Sequence, residues 1–324
     1  MDYSLRSLRY FVATADKGSV TAAALQLCVS QPSVSAAIAH LESAFGQRLF
    51  IRKPASGVML TPAGERLLPH ARSLLFHADE FGTIARSLDA DFSGRIRMAC
   101  FTNLAPVHLA ALLRTFQADY PNIDVDFFER DQADILDGLR NARYEFALTF
   151  DLCELAEFDV TVLADIAPHV VLHAGHPLAN QQAVSLRALA PEPLIMMDIP
   201  YSREYLLGMF DELGVRARLK YLPNSFEMVR SLAGNGLGYG LLNLVPLTRT
   251  TYDGSPVVSL PLQESFRRLK VVLVRLPNMP RRRIATAFYS TAQRYFAQRY
   301  PGMQTSGAVT ARCDRHPQTG SAPS

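Results

Sequence analysis

The first apolar positions of the chain, Leu8, Phe11, Val12 and Ala15, recur at helical spacing, and Gly18 with Ser19 then breaks the pattern and offers an N-cap for a second helix. That second helix, "VTAAALQL", is short and alanine-rich, as suits two helices that cross closely, and "CVS" turns the chain into a third. On a helical wheel begun at Val34, Ala37, Ile38, Leu41, Ala44 and Phe45 fall with it in an arc of roughly 120°, the width of a core-facing stripe. Pro32, Ser33, Ala36, Ala39, His40 and Ser43 lie away from that stripe, with Gln31 and Ser35 on its flanks. Pro32 suits the first turn, where its missing N–H has no helical partner. "RLFIRKPASGVMLT" follows as two short extended runs about a Gly-containing turn, carrying Arg48, Arg52 and Lys53.

Thr61 and Pro62 open a long helix that runs to about Leu88. Along it Leu67, Ala71, Leu74, Ala78, Phe81, Ala85 and Leu88 follow at alternating spacings of four and three. Such a seam predicts self-association through a partner helix, the alternative being packing on the chain's own second half. From Arg95 the style changes. Strand patterns "RIRMACF", "IDVDFFERD" and "EFALTFD" alternate with helical "APVHLAALLRTFQADYP" and "ILDGLRNARY", which predicts β-α-β units and a parallel sheet. A second series runs from "HVVLHA" to "LGYGLLN", and "RRLKVVLVRLP" with "RRRIATAFYSTAQRYFAQRY" closes it. Two Rossmann-like α/β lobes, joined by crossing segments around one cleft, are the expectation. The expected division is 1–60 for a helical winged helix-turn-helix unit, 61–90 for the linker helix, 91–300 for the two lobes and 301–324 for a disordered tail.

A short helix, a tight turn and a longer helix with a polar N-terminal end form the helix-turn-helix arrangement, whose second helix enters the major groove of DNA. Ser30, Gln31, Pro32, Ser33 and Ser35 are the candidate reading residues. Glutamine bonds adenine in a bidentate way, serine bonds bases or phosphates, and a proline ring touches a thymine methyl. Arg52 and Lys53 on the wing suit phosphates. The plainer alternative is a three-helix packing unit whose Ser and Gln are caps. The net charge of +3 permits nucleic acid without demanding it, and up to Leu60 six Lys/Arg stand against three acids, so the basic excess of the whole chain is matched there.

The stretch from Leu8 to Leu68 resembles the N-terminal winged helix of LysR-type transcriptional regulators, through "GSVTAAALQLCVSQPSVSAAIAHLESAFGQRLFIR" and "LTPAGE". The resemblance implies double-stranded promoter DNA as partner and dimerisation through the linker helix, with Leu67, Ala71, Leu74, Ala78 and Phe81 in the seam, usually building a dimer of dimers. It implies RNA polymerase as a further partner, and an effector domain that looks like a cytosolic relative of periplasmic binding proteins. Where the family often carries a basic or long polar residue this chain has Ala36 and Ala37, which shifts base reading toward Gln31, Ser33, Ser35 and the wing.

Ligands of open α/β sheets sit beyond the carboxyl ends of strands, where helix N-termini offer free N–H groups. Phe101, Thr102 and Asn103 meet that description, as do Asp131 and Gln132 beside Arg130, Tyr201, Ser202 and Arg203, and Ser225 with Phe226. Small polar caps beside aromatic rings suit a small organic effector, a carboxylate or an aromatic. The resemblance points most directly to Thr102, Asn103 and Ser202.

Other features subtract alternatives. Cys28, Cys100, Cys153 and Cys313 form no C-x-x-C pair, so a reducing compartment is expected, and Cys100 is expected to be a small buried residue rather than a redox switch. The N-terminus has no basic region followed by an apolar run, and no apolar stretch spans a membrane, so a cytoplasmic location without a membrane partner is expected. "GNGLGYG" is not G-x-G-x-x-G and follows a helix; His169, His173 and His176 lack a second set of ligands; no G-x-S-x-G or H-E-x-x-H occurs. No cofactor, metal or catalysed reaction is expected. Arg281 to Arg283 read as a solvated face. The rival reading is an α/β enzyme or solute-binding protein with a helical extension.

Overall fold

Three serines start the first three helices. In the computed structural model, which describes residues 3–53, 57–86, 93–277 and 281–301, Ser4 caps α1 (Leu5–Lys17), Ser19 caps α2 (Val20–Gln26) and Ser30 caps α3 (Gln31–Phe45). Each hydroxyl accepts a backbone N–H three residues on, which satisfies a donor the helix itself cannot. Val34, Ile38 and Leu41 are the buried positions of α3. Ala44, expected in that stripe, is exposed, while Phe45 beside it packs against the head's core.

Strands β1 (Phe50–Lys53) and β2 (Gly57–Leu60) pair antiparallel as the wing. Gly57 is what seats it. A Cβ there would stand 2.2 Å from the Gly18 carbonyl oxygen, and Val58 N–H donates to that same oxygen at 2.8 Å. Glu42 of α3 accepts Leu49 N–H at 2.7 Å and Phe50 N–H at 3.1 Å, so the third helix and the wing form one unit. Helix α4 (Pro62–Arg86) starts on Thr61, whose hydroxyl accepts Gly64 N–H, and its Leu68 and Ala71 complete the head's core with Leu8, Phe11 and Leu41.

Beyond α4 the chain builds two five-stranded sheets. The first lobe holds β3 (Gly94–Phe101), a helical run from Ala105 that becomes α5 (Ala110–Asp119), β4 (Ile123–Arg130), α6 (Gln132–Arg140), β5 (Phe146–Phe150) and β6 (Asp159–Ile166). The second holds β7 (His169–His173), α7 (Leu186–Leu189), β8 (Pro193–Ile195), α8 (Ser202–Leu213), β9 (Arg218–Tyr221), α9 (Phe226–Gly234), β10 (Tyr239–Leu242) and β11 (Val257–Pro261). The chain then returns to the first lobe as β12 (Leu269–Arg275) and α10 (Arg283–Arg299). The strand orders are β4-β3-β5-β12-β6 and β11-β7-β10-β8-β9.

The expected two-lobed α/β architecture is present, but the sheets are mixed rather than parallel. β12 runs antiparallel to β5 and β6, and β7 antiparallel to β10 and β11. The reason is topological. β12 and β7 each arrive from the other lobe and enter their sheet from the cleft side, opposite to the strands that point into the cleft. β6 and β11, the strands that leave each lobe, had no place among the sequence's predicted strands.

Arg282 corrects the solvated face expected for Arg281 to Arg283. It is buried, its Nε donates to Glu145 at 3.1 Å and its Nη2 to the Arg95 carbonyl at 2.6 Å. Arg281 lies over the Tyr289 ring at 3.8 Å. The expected tail from residue 301 onward, Leu88 of the seam and Cys313 lie, apart from Pro301, outside the described residues.

Candidate functional site

The exposed face of α3 carries Gln31, Pro32, Ser33, Ala36, Ala39, His40 and Ser43, with Ser35 half-buried. Its polar side chains bond locally: Ser30 Oγ lies 2.7 Å from Ser33 Oγ, and the Gln31 amide donates to Ser35 Oγ at 2.9 Å. These bonds span three or four residues, so DNA can replace them without disturbing the core. Between α3 and the wing runs a groove of about 900 Å³ whose walls include Ser35, Ala39, Ser43, Arg48 and Ile51. Arg52 and Lys53 sit in β1, opposite Val58 and Gly57; their side chains lie outside the described part.

The seam on α4 divides in two. Leu67 packs against the head's core and Ala71 belongs to it, whereas Leu74 is 42% and Phe81 75% exposed, with Ala78 between them half-buried. Only the distal part offers an open apolar strip. No single helix among the described residues is long and apolar enough to cross a membrane; α2 and α3 together are, but they meet at 114° as the helix-turn-helix itself.

The joint between head and lobes is built on Arg72, 9% exposed, which pairs with Asp16 of α1 and donates to the Asn141 carbonyl at 2.8 Å. Asn141 caps the C-terminal end of α6. At the other end of α6, buried Gln132 donates to the Phe150 carbonyl at 3.2 Å and accepts from Thr149 at 2.5 Å. A second contact lies nearby, with the Arg282 guanidinium 4.8 Å from the centre of the Phe76 ring of α4.

Phe150 also lines the cavity between the lobes, with Phe101, Asn103, Ser202, Tyr205, Phe226 and Asn243 among its walls. The enclosed space is about 30 Å³, room for about two water molecules at most. Of the ten sequence-predicted effector residues the structure brings Phe101, Asn103, Ser202 and Phe226 to this cavity. The others do structural work beside it. Asp131 and Ser225 cap α6 and α9, Arg203 pairs with Asp198, and Thr102 N–H donates to the Arg130 carbonyl. Gln132 holds β5, and Tyr201 makes the turn into α8 at φ +66, a conformation uncommon for a bulky residue. A capping side chain folds back on its own helix, which is why the caps Asp131 and Ser225 are not among the cavity walls. Missing from the prediction were Phe150, Tyr205 and Asn243. Phe150 and Asn243 stand at the ends of β5 and β10, so the strand-end rule applied to every strand finds them.

Within the cavity Tyr205 donates to the Arg267 carbonyl at 2.7 Å and accepts from Asn243 at 3.2 Å, and burial pushes its phenol up to about 12. Burial also raises the thiols of Cys100 and Cys153. His169, His173 and His176 do not converge: His169 is buried with both ring nitrogens unpartnered, while His176 bonds Glu192 at 2.9 Å.

Residues 5–65 match the model of the bacterial regulatory helix-turn-helix protein of the lysR family, and residues 89–297 match that of the LysR substrate binding domain. The chain belongs to the LysR family of transcriptional regulators. It is 29% identical to a probable hydrogen peroxide-inducible genes activator of Mycobacterium avium, over 90% of this chain and 89% of that one. It is 34% identical to HinK, a LysR family transcriptional regulator from Pseudomonas aeruginosa, with a TM-score of 0.61 over 90% of this chain and 98% of HinK. A full-length OxyR variant from the same organism shares the fold at a TM-score of 0.75 and 20% identity, covering 90% of this chain and 95% of that one. As a LysR-type protein the chain is a ligand-responsive, DNA-binding regulator, and the rival reading as an α/β enzyme or solute-binding protein is not favoured.

Proposed function

We propose that a small molecule entering the cleft between the lobes resets how paired DNA-binding heads are presented to promoter DNA, and that α6 and Arg72 carry the change. The observation behind this reading is the Arg72 joint. One end of α6 is bonded to the strand that walls the cavity, and the other holds the side chain that grips α1 of the head. A ligand that favours one lobe arrangement therefore moves an element the head is tied to, and one that binds both arrangements equally moves nothing.

In this reading Gln31, with Ser30, Pro32, Ser33 and Ser35, reads bases, and Arg52 and Lys53 hold phosphates. Leu74, Ala78 and Phe81 pair two chains, while Leu67 and Ala71 hold α4 to its own head, so that two heads meet two half-sites, with RNA polymerase as the further partner in the cytoplasm. No reaction is assigned. The name of the mycobacterial relative makes that protein an activator of hydrogen peroxide-inducible genes; here burial raises the thiols of Cys100 and Cys153, which disfavours the reactive thiolate at both.

The test is fluorescence-anisotropy binding to the DNA upstream of the protein's own gene, against a scrambled duplex, over a salt series. Selective, salt-dependent binding is expected. Equal, weak binding to both duplexes overturns the regulator reading at that site. In Arg72→Ala the same DNA should still bind while its affinity no longer responds to a cleft ligand; an unchanged response removes Arg72 from the path.

A further inference from the structure

The walls of the cavity carry no charge: among the described residues its polar lining is Asn103, Ser202, Tyr205 and Asn243, and the rest is apolar. The cations beside it are engaged. Arg203, next to Ser202, pairs with Asp198 at 3.0 Å, and Arg267, whose carbonyl holds Tyr205, pairs with Asp151 at 3.2 Å. Arg130, the last residue of β4, donates to the Glu129 carbonyl and reaches over the Phe128 ring. A carboxylate drawn into this space would lose its water and find no counter-charge, which is a heavily disfavoured exchange.

The four polar groups are not equivalent. Tyr205 donates to the Arg267 carbonyl and accepts from the Asn243 amide, so these two are engaged with the protein itself. Asn103 and Ser202 are open. The Asn103 amide donates only to the Met197 thioether, at 3.3 Å, and sulfur is a weak acceptor. The Ser202 hydroxyl makes no side-chain hydrogen bond within the described residues, although the residue is only 7% exposed. Asn103 follows β3 on one lobe and Ser202 begins α8 on the other, with the rings of Phe101, Phe150 and Phe226 around the same space.

We propose that the cleft takes a compact, uncharged, largely apolar molecule bearing a hydrogen-bond acceptor for Asn103 and a polar group for Ser202, and that these two residues select it across the lobes. This rests on the reading of the cleft as the effector site. It narrows the sequence-based expectation of a carboxylate or an aromatic to the neutral class. The enclosed space holds little more than water, so the lobes part to admit such a molecule and close again on it.

Benzamide and benzoate share a ring and a shape and differ in charge, which makes them the probes. Calorimetric titration of the full-length protein at neutral pH should give benzamide at least a tenfold tighter dissociation constant than benzoate. Asn103→Ala and Ser202→Ala should each weaken benzamide about tenfold, which is about 1.4 kcal/mol. Asn103→Asp, folded by circular dichroism, should lose benzamide and gain the cationic benzamidine. Benzoate binding as tightly as benzamide, or benzamide failing to bind at millimolar concentration, overturns the neutral class. The cleft reading fails separately: benzamide binding that survives Ser202→Phe places the molecule elsewhere, whereas a benzoate preference abolished by Ser202→Phe keeps the cleft and discards only the class.

Discussion

The face of α3 and the wall of the cleft are both sets of Ser, Asn, Gln and aromatic residues, yet they are assembled in opposite ways. At the N-terminal end of α3 the Ser30–Ser33 and Gln31–Ser35 bonds join residues three or four apart in sequence and lie in solvent. In the cleft Asn103 reaches Met197 and Tyr205 reaches Arg267, at separations of 94 and 62 residues. A local, exposed set is free to exchange its bonds for DNA without cost to the fold. A long-range, buried set changes only when the lobes change, and this makes it a sensor of their arrangement.

That contrast breaks most visibly where a long-range buried pair is cut. Arg282→Ala leaves Glu145 buried without its cation and should cost about 3–5 kcal/mol by chemical denaturation. The head, which meets Arg282 through the Phe76 ring of α4 and shares none of its hydrogen bonds, should keep its DNA affinity per folded molecule. A loss confined to DNA binding, with stability unchanged, would contradict the burial of this pair.

Next in size is a pH effect. Burial lowers His169 to about 4, and it lowers His108, enclosed by Tyr295, Phe296 and Tyr300, to about 4 as well. The unfolded chain binds these protons near pH 6.5, so their contribution is complete above that value, falls as the pH drops toward 4 and then levels. Each histidine should give a slope of up to about 1.4 kcal/mol per pH unit in that window. His169→Leu should remove one such slope in urea titrations between pH 4 and 7. An equally steep profile in the variant would mean that His169 is already protonated in the folded lobe.

On the DNA side the effects are smaller and sort by kind. Gln31→Ala should weaken operator binding by about 1–3 kcal/mol and leave random DNA untouched. Arg52→Ala should weaken both alike and lower the salt slope by about one. Uniform loss from Gln31→Ala would demote it from base reading to positioning. Smallest of all is hydrogen peroxide: micromolar additions should leave the anisotropy curve in place, since burial raises the Cys100 and Cys153 thiols. A shift that disappears in Cys100→Ser would reverse that expectation.

The same contrast explains what the sequence discloses. Ser19, Ser30 and Thr61 announce their helices because a cap is a contact between near neighbours, and Val34, Ile38 and Leu41 announce a buried face by period alone. Phe101, Asn103, Ser202 and Phe226 were reachable because strand ends and helix starts face the cleft in this class of sheet. Tyr205 was not, since it lies a turn inside α8 and owes its place to Asn243 and Arg267 from two other elements. Arg282 misled for the same reason: three consecutive arginines read as surface, and only the fold brings Glu145 beneath one of them. β6 and β11 escaped because each follows the strand before it in its own lobe with no helix between them to mark a β-α-β unit.

The return of β12 to the first lobe also sets an order of manufacture. As the chain leaves the ribosome the head is finished first, and the second lobe next, since all its strands precede Leu269. The first lobe must wait with β5 and β6 unjoined, because the strand that lies between them is made almost last. Its unpaired edges are an aggregation hazard during that interval. A message truncated shortly before β12 would therefore release a DNA-binding head and a closed second lobe with no completed first lobe to connect them.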